Sequence, residues 1–164
     1  MAEETNGAAQ EAQPIAMKMV NQYIRDMSFE NVAAQKNLGG DIKPEVSVQV
    51  NLDAQKKSDN GYEVQLKLNV EAKAEEQAVF LLEIDYAGLF AIENVPAEQL
   101  HPFLMIECPR MLFPFVRQIA RNVTADGGFP PLNIDNIDFM QLYRTEVMRR
   151  AQEASEAASD EATN

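Results

Sequence analysis

His101 and Cys108 are the two residues of this chain that could perform nucleophilic catalysis, because a reactive thiolate needs a neighbouring base. His101 is the only histidine and Cys108 is the only cysteine, which follows it seven positions later. Cys108 stands between Glu107 and Pro109 in an apolar region, where cysteine usually packs as a small hydrophobic side chain. The sequence therefore predicts a packing role for Cys108 and no catalytic residue.

The sequence also lacks the patterns that bind cofactors. One histidine and one cysteine cannot supply a zinc site, and no Asp-rich loop has the spacing of a calcium loop. Gly39-Gly40 and Gly127-Gly128 are isolated pairs without the Lys-Ser/Thr that completes a phosphate-binding loop. We therefore expect no metal and no cofactor, and we expect that the protein is not an enzyme.

Three runs of alternating apolar and polar residues predict the elements that position any binding surface. They cover residues 45–52, 62–71 and 77–86, and Asn-Gly turn chemistry at residues 58–61 separates the first two. Side chains alternate sides along a strand, so each run predicts one buried face and one solvent-facing face, as in an antiparallel sheet. A half-open sheet with a polar, acidic outer face and no catalytic residues is typical of a binding protein.

Residues 14–29, which precede these runs, fit two patterns. Met19, Tyr23 and Met27 have helical spacing, but they also fit an alternation that begins at Ile15. The alternation is clean in residues 26–30, which also lack helix formers, so a fourth strand is favoured.

The alternation of apolar and polar residues ends after Gly88. Four prolines punctuate the apolar region up to residue 114, which argues against a long uninterrupted helix before Met111. From Met111 onwards apolar residues recur at helical spacing as far as Gly127-Gly128, and Pro114 fits the first turn of this helix. Asp135 or Asp138 can cap a last helix, whose apolar stripe comprises Phe139, Leu142, Tyr143 and Val147.

The net charge of -12 is unevenly distributed. Residues 41–98 contain 12 acidic side chains against five lysines. Nucleic acid and anionic membrane surfaces are bound mainly through Lys and Arg, so neither is expected as a partner, and a basic protein partner is favoured. No apolar stretch approaches the roughly 20 residues of a membrane helix, so direct membrane insertion is not expected either.

The composition predicts one domain over residues 14–150 between two acidic tails. Residues 1–13 and 151–164 hold seven acidic residues and no basic one, and we predict that both tails are disordered. The acidic N-terminus does not resemble a secretory signal. A single cysteine excludes an internal disulfide, so the cytoplasm is the simplest compartment.

Two apolar features allow more than one interpretation. Val79 and Leu81 interrupt the polar face of the third run, and Leu81 fits either a docking position or an ordinary surface residue. Residues 103–115 are rich in Phe, Met, Leu and Ile, which fit a core, an oligomer interface or an apolar groove.

Several blocks of the sequence resemble the SecB family of bacterial protein-export chaperones. The most specific are Cys-Pro-Arg-Met-Leu-Phe-Pro-Phe at residues 108–115 and Gly-Phe-Pro-Pro-Leu-Asn at residues 128–133. Residues 26–30, 44–46 and 80–84 agree with the family as well, and the likeness extends over about residues 14–150.

The resemblance implies an α+β fold, with a four-stranded antiparallel sheet, helices packed on one face and a C-terminal helix. It implies a homotetramer, assembled as a dimer of dimers, and an ATP-independent holdase. Such a chaperone keeps unfolded precursor proteins competent for translocation and delivers them to the SecA motor of the Sec pathway.

The resemblance also implies two sets of binding residues. The basic, zinc-containing C-terminal end of SecA would bind the open face of the sheet at Asp26, Glu30, Leu81 and Glu83. Unfolded clients would lie in apolar grooves that include Val46, Val48, Val50, Phe90 and Tyr143.

Two alternatives stay open from the sequence. The first is a SecB-like chaperone dedicated to a client outside export, such as an antitoxin. The second is an α+β domain that binds or hydrolyses a small molecule, which would need converging polar groups in an apolar pocket. His101 and Cys108 are the only residues that the chain offers for such a site.

Overall fold

Four long strands form one antiparallel sheet in the computed structural model, which describes residues 11–161. The strands are β1 (Ala16–Glu30), β2 (Glu45–Lys56), β3 (Gly61–Ala74) and β4 (Gln77–Glu93), and their order is β1-β4-β3-β2. The strand predicted for residues 14–29 is therefore confirmed, and so is the antiparallel sheet. Short turns join β2 to β3 and β3 to β4, whereas β1 lies beside β4 and forms one edge of the sheet.

The two edge strands differ in the regularity of their pairing. The register of β1 with β4 shifts twice, between Met19 and Asn21 and between Ile24 and Asp26. β2 pairs with β3 over residues 45–56 without any shift. β1 is thus an irregular edge and β2 is a regular one, because an extra residue in one strand bends and twists the ladder.

Three helices complete the α+β fold: α1 (Val32–Gln35), α2 (Ala97–Asp126) and α3 (Phe139–Glu161). The inner face of the sheet carries alternating apolar residues of β3 and β4, and α2 packs against them in a single core. Gly88 in β4 allows this close approach, since a Cβ there would lie 2.8 Å from Leu112 Cδ2 and 2.7 Å from Phe90 Cε2. Phe139 anchors the start of α3 edge-on against Phe113, with ring centroids 5.8 Å apart.

The expectation that prolines prevent a long helix before Met111 is wrong. α2 runs for 30 residues with Pro102, Pro109 and Pro114 inside it. Each internal proline removes a backbone hydrogen bond at a cost of about 3 kcal/mol or more. The buried apolar stripe of α2 offsets this cost: Leu104, Ile106, Cys108, Leu112, Phe113, Val116 and Ala120.

The ends of the chain are described only in part. Residues 1–10 of the predicted N-terminal tail lie outside the described residues, and residues 11–13 are exposed without helix or strand. At the other end the structure differs from the predicted disorder over residues 151–161, because α3 continues to Glu161, and residues 162–164 of this predicted tail lie outside the described residues. Alanine, glutamine and glutamate are good helix formers, and Arg149 pairs with Glu146 and Glu153 along the helix.

The length and apolar character of the helices decide whether one of them could cross a membrane. Within residues 11–161 no helix is both long enough and apolar enough to span a bilayer.

Candidate functional site

The first candidate surface lies on the outer face of the sheet, where β1 and β4 run side by side. Glu30 is the register partner of Leu81, and Ser28 is the partner of Glu83. Asp26 lies two pairs further along, opposite Asp85, and therefore on the same face. The structure therefore brings together the four residues predicted from the sequence; we call Asp26, Glu30, Leu81 and Glu83 the acidic surface.

The acidic surface combines exposed carboxylates with one partly buried apolar side chain. Asp26, Glu30 and Glu83 are exposed, whereas Leu81 is half-buried between its register partners Glu30 and Glu71. Asp26, Glu83 and Asp85 also line a shallow depression of about 130 Å³ with Lys67 on its far side. A small apolar anchor among carboxylates suits a basic protein segment, because the charges attract it and the leucine excludes water from the contact.

A polar network that the sequence analysis missed supports the outer face beside this surface. The Tyr23 hydroxyl donates to Glu63 Oε2 at 2.5 Å, and Gln65 Nε2 donates to Glu63 Oε1 at 3.1 Å. Glu63 and Gln65 are 7% and 4% exposed, although both stand on the face predicted to be solvent-facing. The side chain of Tyr23 crosses Ala87 of β4 to reach β3, which links the edge strand β1 to the middle of the sheet.

This network predicts a pH-dependent contribution to stability. The hydrogen bond from Tyr23 lowers the pKa of Glu63 below its ordinary value, more than burial raises it. A carboxyl group whose pKa is lowered by folding stabilises the folded state above its ordinary pKa, and this stabilisation disappears as the pH falls through the native pKa. Glu63→Gln should therefore reduce the urea midpoint most near about pH 7 and progressively less towards about pH 3.

The exposed Glu76→Gln, which makes the same change of charge in the β3–β4 turn, is the matched control and should leave the midpoint nearly unchanged at every pH. A constant difference between wild type and Glu63→Gln over this range would contradict the assigned role of the Glu63 carboxylate.

The second candidate surface is a groove along β2, the other edge of the sheet. Val46, Val48 and Val50 form one side of a cavity of about 500 Å³, and Leu132, Ile134 and Ile137 of the segment between α2 and α3 form the other. An adjoining cavity of about 360 Å³ continues along Val50 to His101 and Tyr143. We call the two cavities together the β2 groove, and its lining is largely apolar.

The structure places four of the five predicted client-binding residues in the β2 groove. Val46 and Val48 are 40% and 39% exposed, and Val50 and Tyr143 are half-buried. Phe90 does not line the groove: it is 1% exposed and lies in the core beneath α2. β4 extends beyond Tyr86 to Glu93, so its alternation directs Phe90 to the inner face.

His101 and Cys108 have separate partners. His101 Nδ1 lies 3.2 Å from the Tyr143 hydroxyl in the β2 groove, whereas Cys108 is fully buried with its thiol 3.8 Å from Met17 Sδ. Burial raises the pKa of Cys108 to about 12, and the negative charge of Glu107 adds to the shift. The thiol is therefore protonated and inaccessible, which agrees with the packing role predicted for it.

Comparisons with known proteins give a consistent result. The family model described as SecB, preprotein translocase subunit SecB, matches residues 9–150. Protein-export protein SecB of Ruegeria pomeroyi is 59% identical over 153 residues, which cover 92% of this chain and 93% of that protein. The protein of the same name from Dinoroseobacter shibae is 57% identical over 168 residues, which cover 97% of this chain and 98% of that protein.

Among solved structures, the fold is similar to that of a SecB-like chaperone, Rv1957 of Mycobacterium tuberculosis, in complex with a ChAD peptide from the Rv1956 HigA1 antitoxin. The TM-score is 0.61 at 12% sequence identity, over 74% of this chain and 90% of that chain. At this level of identity the similarity shows the fold alone.

Proposed function

The chain belongs to the SecB family, and from this premise we propose that it is an ATP-independent holdase of the Sec export pathway. It would bind unfolded precursor proteins in the cytoplasm, keep them competent for translocation and deliver them to SecA. The identity of 57–59% to export proteins named SecB, over nearly the whole chain, is the observation that carries the proposal. Holding an unfolded chain requires apolar surface and no catalytic group.

The β2 groove is the proposed site for clients. An unfolded chain exposes apolar side chains together with unpaired backbone groups. β2 is an edge strand, so its outward backbone groups lie beside the apolar groove residues Val46, Val48 and Val50. The groove can therefore bind both kinds of group in one extended segment, and Tyr143 adds an aromatic contact at the far end.

The acidic surface is the proposed site for the basic C-terminal end of SecA. Asp26, Glu30 and Glu83 would accelerate association through their charge, and Leu81 would form the desolvated contact. This surface lies on β1 and β4, whereas the client groove lies along β2 at the opposite edge of the sheet.

The proposed assembly is a homotetramer built as a dimer of dimers. β1 is an edge strand with exposed Val20, Ile24 and Met27, which suit pairing with a second copy. Met111 and Phe115 are exposed on α2, opposite to the side that packs on the sheet, and suit a second interface. Two different self-complementary surfaces are what a dimer of dimers requires.

The proposal is tested by titrating the purified protein, without nucleotide, with a permanently unfolded precursor that carries its signal sequence. Calorimetry measures binding, and light scattering measures the mass of the complex. Tight binding by a species of about four chains is the expected result. Absence of binding to unfolded chains would overturn the holdase function.

A further prediction separates the holdase from a small-molecule enzyme. Cys108→Ala should suppress aggregation of an unfolded client to nearly the wild-type extent, because a holdase needs no thiolate. The measurement is light scattering of the client during dilution from urea, with circular dichroism as a control for folding. A large loss of activity in the folded variant would favour chemistry at Cys108.

A further inference from the structure

The second wall of the β2 groove is a segment without regular secondary structure. Residues 129–138 connect α2 to α3, and their apolar side chains Leu132, Ile134 and Ile137 are half-buried against the core. The backbone is fixed at the start of the segment, where Phe129 N donates to the Thr124 carbonyl and Leu132 N donates to Thr124 Oγ1. Packing of these apolar side chains on the core holds the remainder of this wall, and a polar contact adds to it.

Two arginines of α2 provide that contact. Arg121 Nη1 donates to Asn133 Oδ1 at 2.9 Å, and Arg117 Nη1 donates to Asn136 Oδ1 at 2.8 Å. The arginines are four residues apart, so both project from the same side of α2 onto the segment. Both asparagines line the β2 groove, facing the side that Val46, Val48 and Val50 form.

The arginines have no competing ion pair. Over residues 11–161 no carboxylate lies within salt-bridge distance of Arg117 or Arg121, although Arg110 on the same helix pairs with Glu107. The Arg117 guanidinium also lies 5.8 Å from the ring centroid of Phe113, which restricts its orientation. Both cations are therefore committed to the two asparagine side chains.

We propose that Arg117 and Arg121 are positioning residues that hold residues 133–136 as the second wall of the β2 groove. They act from the helix behind the wall and determine how far it stands from β2. The inference rests on the proposed role of this groove in binding clients. A wall that is held in place before binding reduces the ordering cost of association, so the arginines raise client affinity without contacting the client.

The test uses the double variant R117A/R121A in the full chain and measures the affinity for an unfolded precursor by calorimetry. Two lost charge-assisted hydrogen bonds should weaken client binding roughly tenfold. Binding to SecA should stay at the wild-type level, because the acidic surface lies on the other face of the sheet. R110A/K36A, which also removes two cations, should change neither affinity.

A mutant cycle separates positioning from general loss of stability. If Arg121 acts through Asn133, adding Arg121→Ala to Asn133→Ala should cost little more than Asn133→Ala alone. Additive losses, an unchanged client affinity in R117A/R121A, or equal losses of client and SecA binding would each overturn the inference.

Hydrogen exchange tests the role of the two arginines separately from client binding. If the wild type does not bind the precursor, the proposed function is overturned, but the exchange rates still decide whether the arginines hold the wall. The amide of Leu132, which donates to Thr124 Oγ1 at 3.0 Å beside the wall, should exchange at least about tenfold faster in R117A/R121A than in wild type, while the strands stay protected. Equal exchange rates in this segment would overturn the positioning role on their own.

Discussion

Leu112→Ala is expected to lower the free energy of unfolding by about 3–5 kcal/mol, the largest effect on stability that we predict for a single core residue. Leu112 is fully buried at the point where α2 approaches β4 most closely, above Gly88. The glycine has no side chain that could expand into the cavity, and the surrounding strands are constrained by their pairing. The site should therefore collapse poorly after the truncation, which places the loss in the upper part of the usual range.

Urea unfolding of the purified variant provides the measurement, with Gln118→Ala on the exposed side of the same helix as the control. The control should change the free energy of unfolding by less than about 0.5 kcal/mol. A loss below about 1 kcal/mol for Leu112→Ala would mean that α2 does not pack tightly on the sheet.

Glu83→Arg is expected to weaken binding to the basic end of SecA at least about 30-fold, while client binding persists. The substitution places a cation in the middle of the acidic surface, where Asp26 and Asp85 are the nearest carboxylates along the depression. Repulsion of a basic partner and loss of the original attraction act in the same direction. The proposed client groove lies along β2, so the change of charge on β4 should leave client affinity within about twofold.

Asp59→Arg makes the same change of charge in the β2–β3 turn and is the matched control. The turn lies near Ile92, whose amide donates to the Asn60 carbonyl, nine residues along β4 from Glu83 and therefore about 30 Å away. Calorimetry with SecA and with an unfolded precursor gives the two affinities. Equal losses at both surfaces for Glu83→Arg would show that the two surfaces are assigned incorrectly.

The strands could be predicted from the sequence because their signal is local. Alternation in residues 62–71 and 77–86 reports directly on which side chains face the helices, and the structure places those apolar residues in the core. The Asn-Gly turn and the cap formed by Asp138, whose carboxylate accepts from Gln141 N at 3.0 Å, are equally local. Such features depend on a few neighbouring residues, so they can be inferred before the fold is known.

The features that were missed depend on residues that are distant in sequence. Glu63 and Gln65 stand on the polar face of β3 but are buried, and Tyr23 reaches Glu63 from β1. The sequence offers one sign of this contact, the small side chain of Ala87, which lets Tyr23 cross β4. That sign can be recognised only once the register of the strands is known. The expectation that prolines interrupt α2 was wrong for a related reason. Packing of α2 on the sheet outweighs the unfavourable local effect of proline on helix formation.

At the candidate surfaces, too, some residues could be predicted from the sequence and others could not. The family resemblance predicted four residues for the acidic surface, and the register of β1 with β4 brings them together. For the groove, the resemblance could not distinguish Phe90 from Val48, because both belong to apolar faces of strands. Exposure distinguishes them: Val48 lies on an uncovered edge strand, whereas Phe90 lies under α2.

The two register shifts of β1 matter for a protein whose proposed partners are unfolded chains. Any exposed strand edge can be extended by a foreign segment, and a chaperone surrounded by such segments runs the risk of nucleating the aggregates that it should prevent. A bulged edge twists away from a straight incoming strand, so β1 is protected from random capture, and in the proposed dimer it would pair with a copy that has the same irregular shape. The regular β2 edge remains open beside its apolar groove. If the proposed assembly and client site are right, contacts between copies and contacts with clients lie at opposite edges of one sheet.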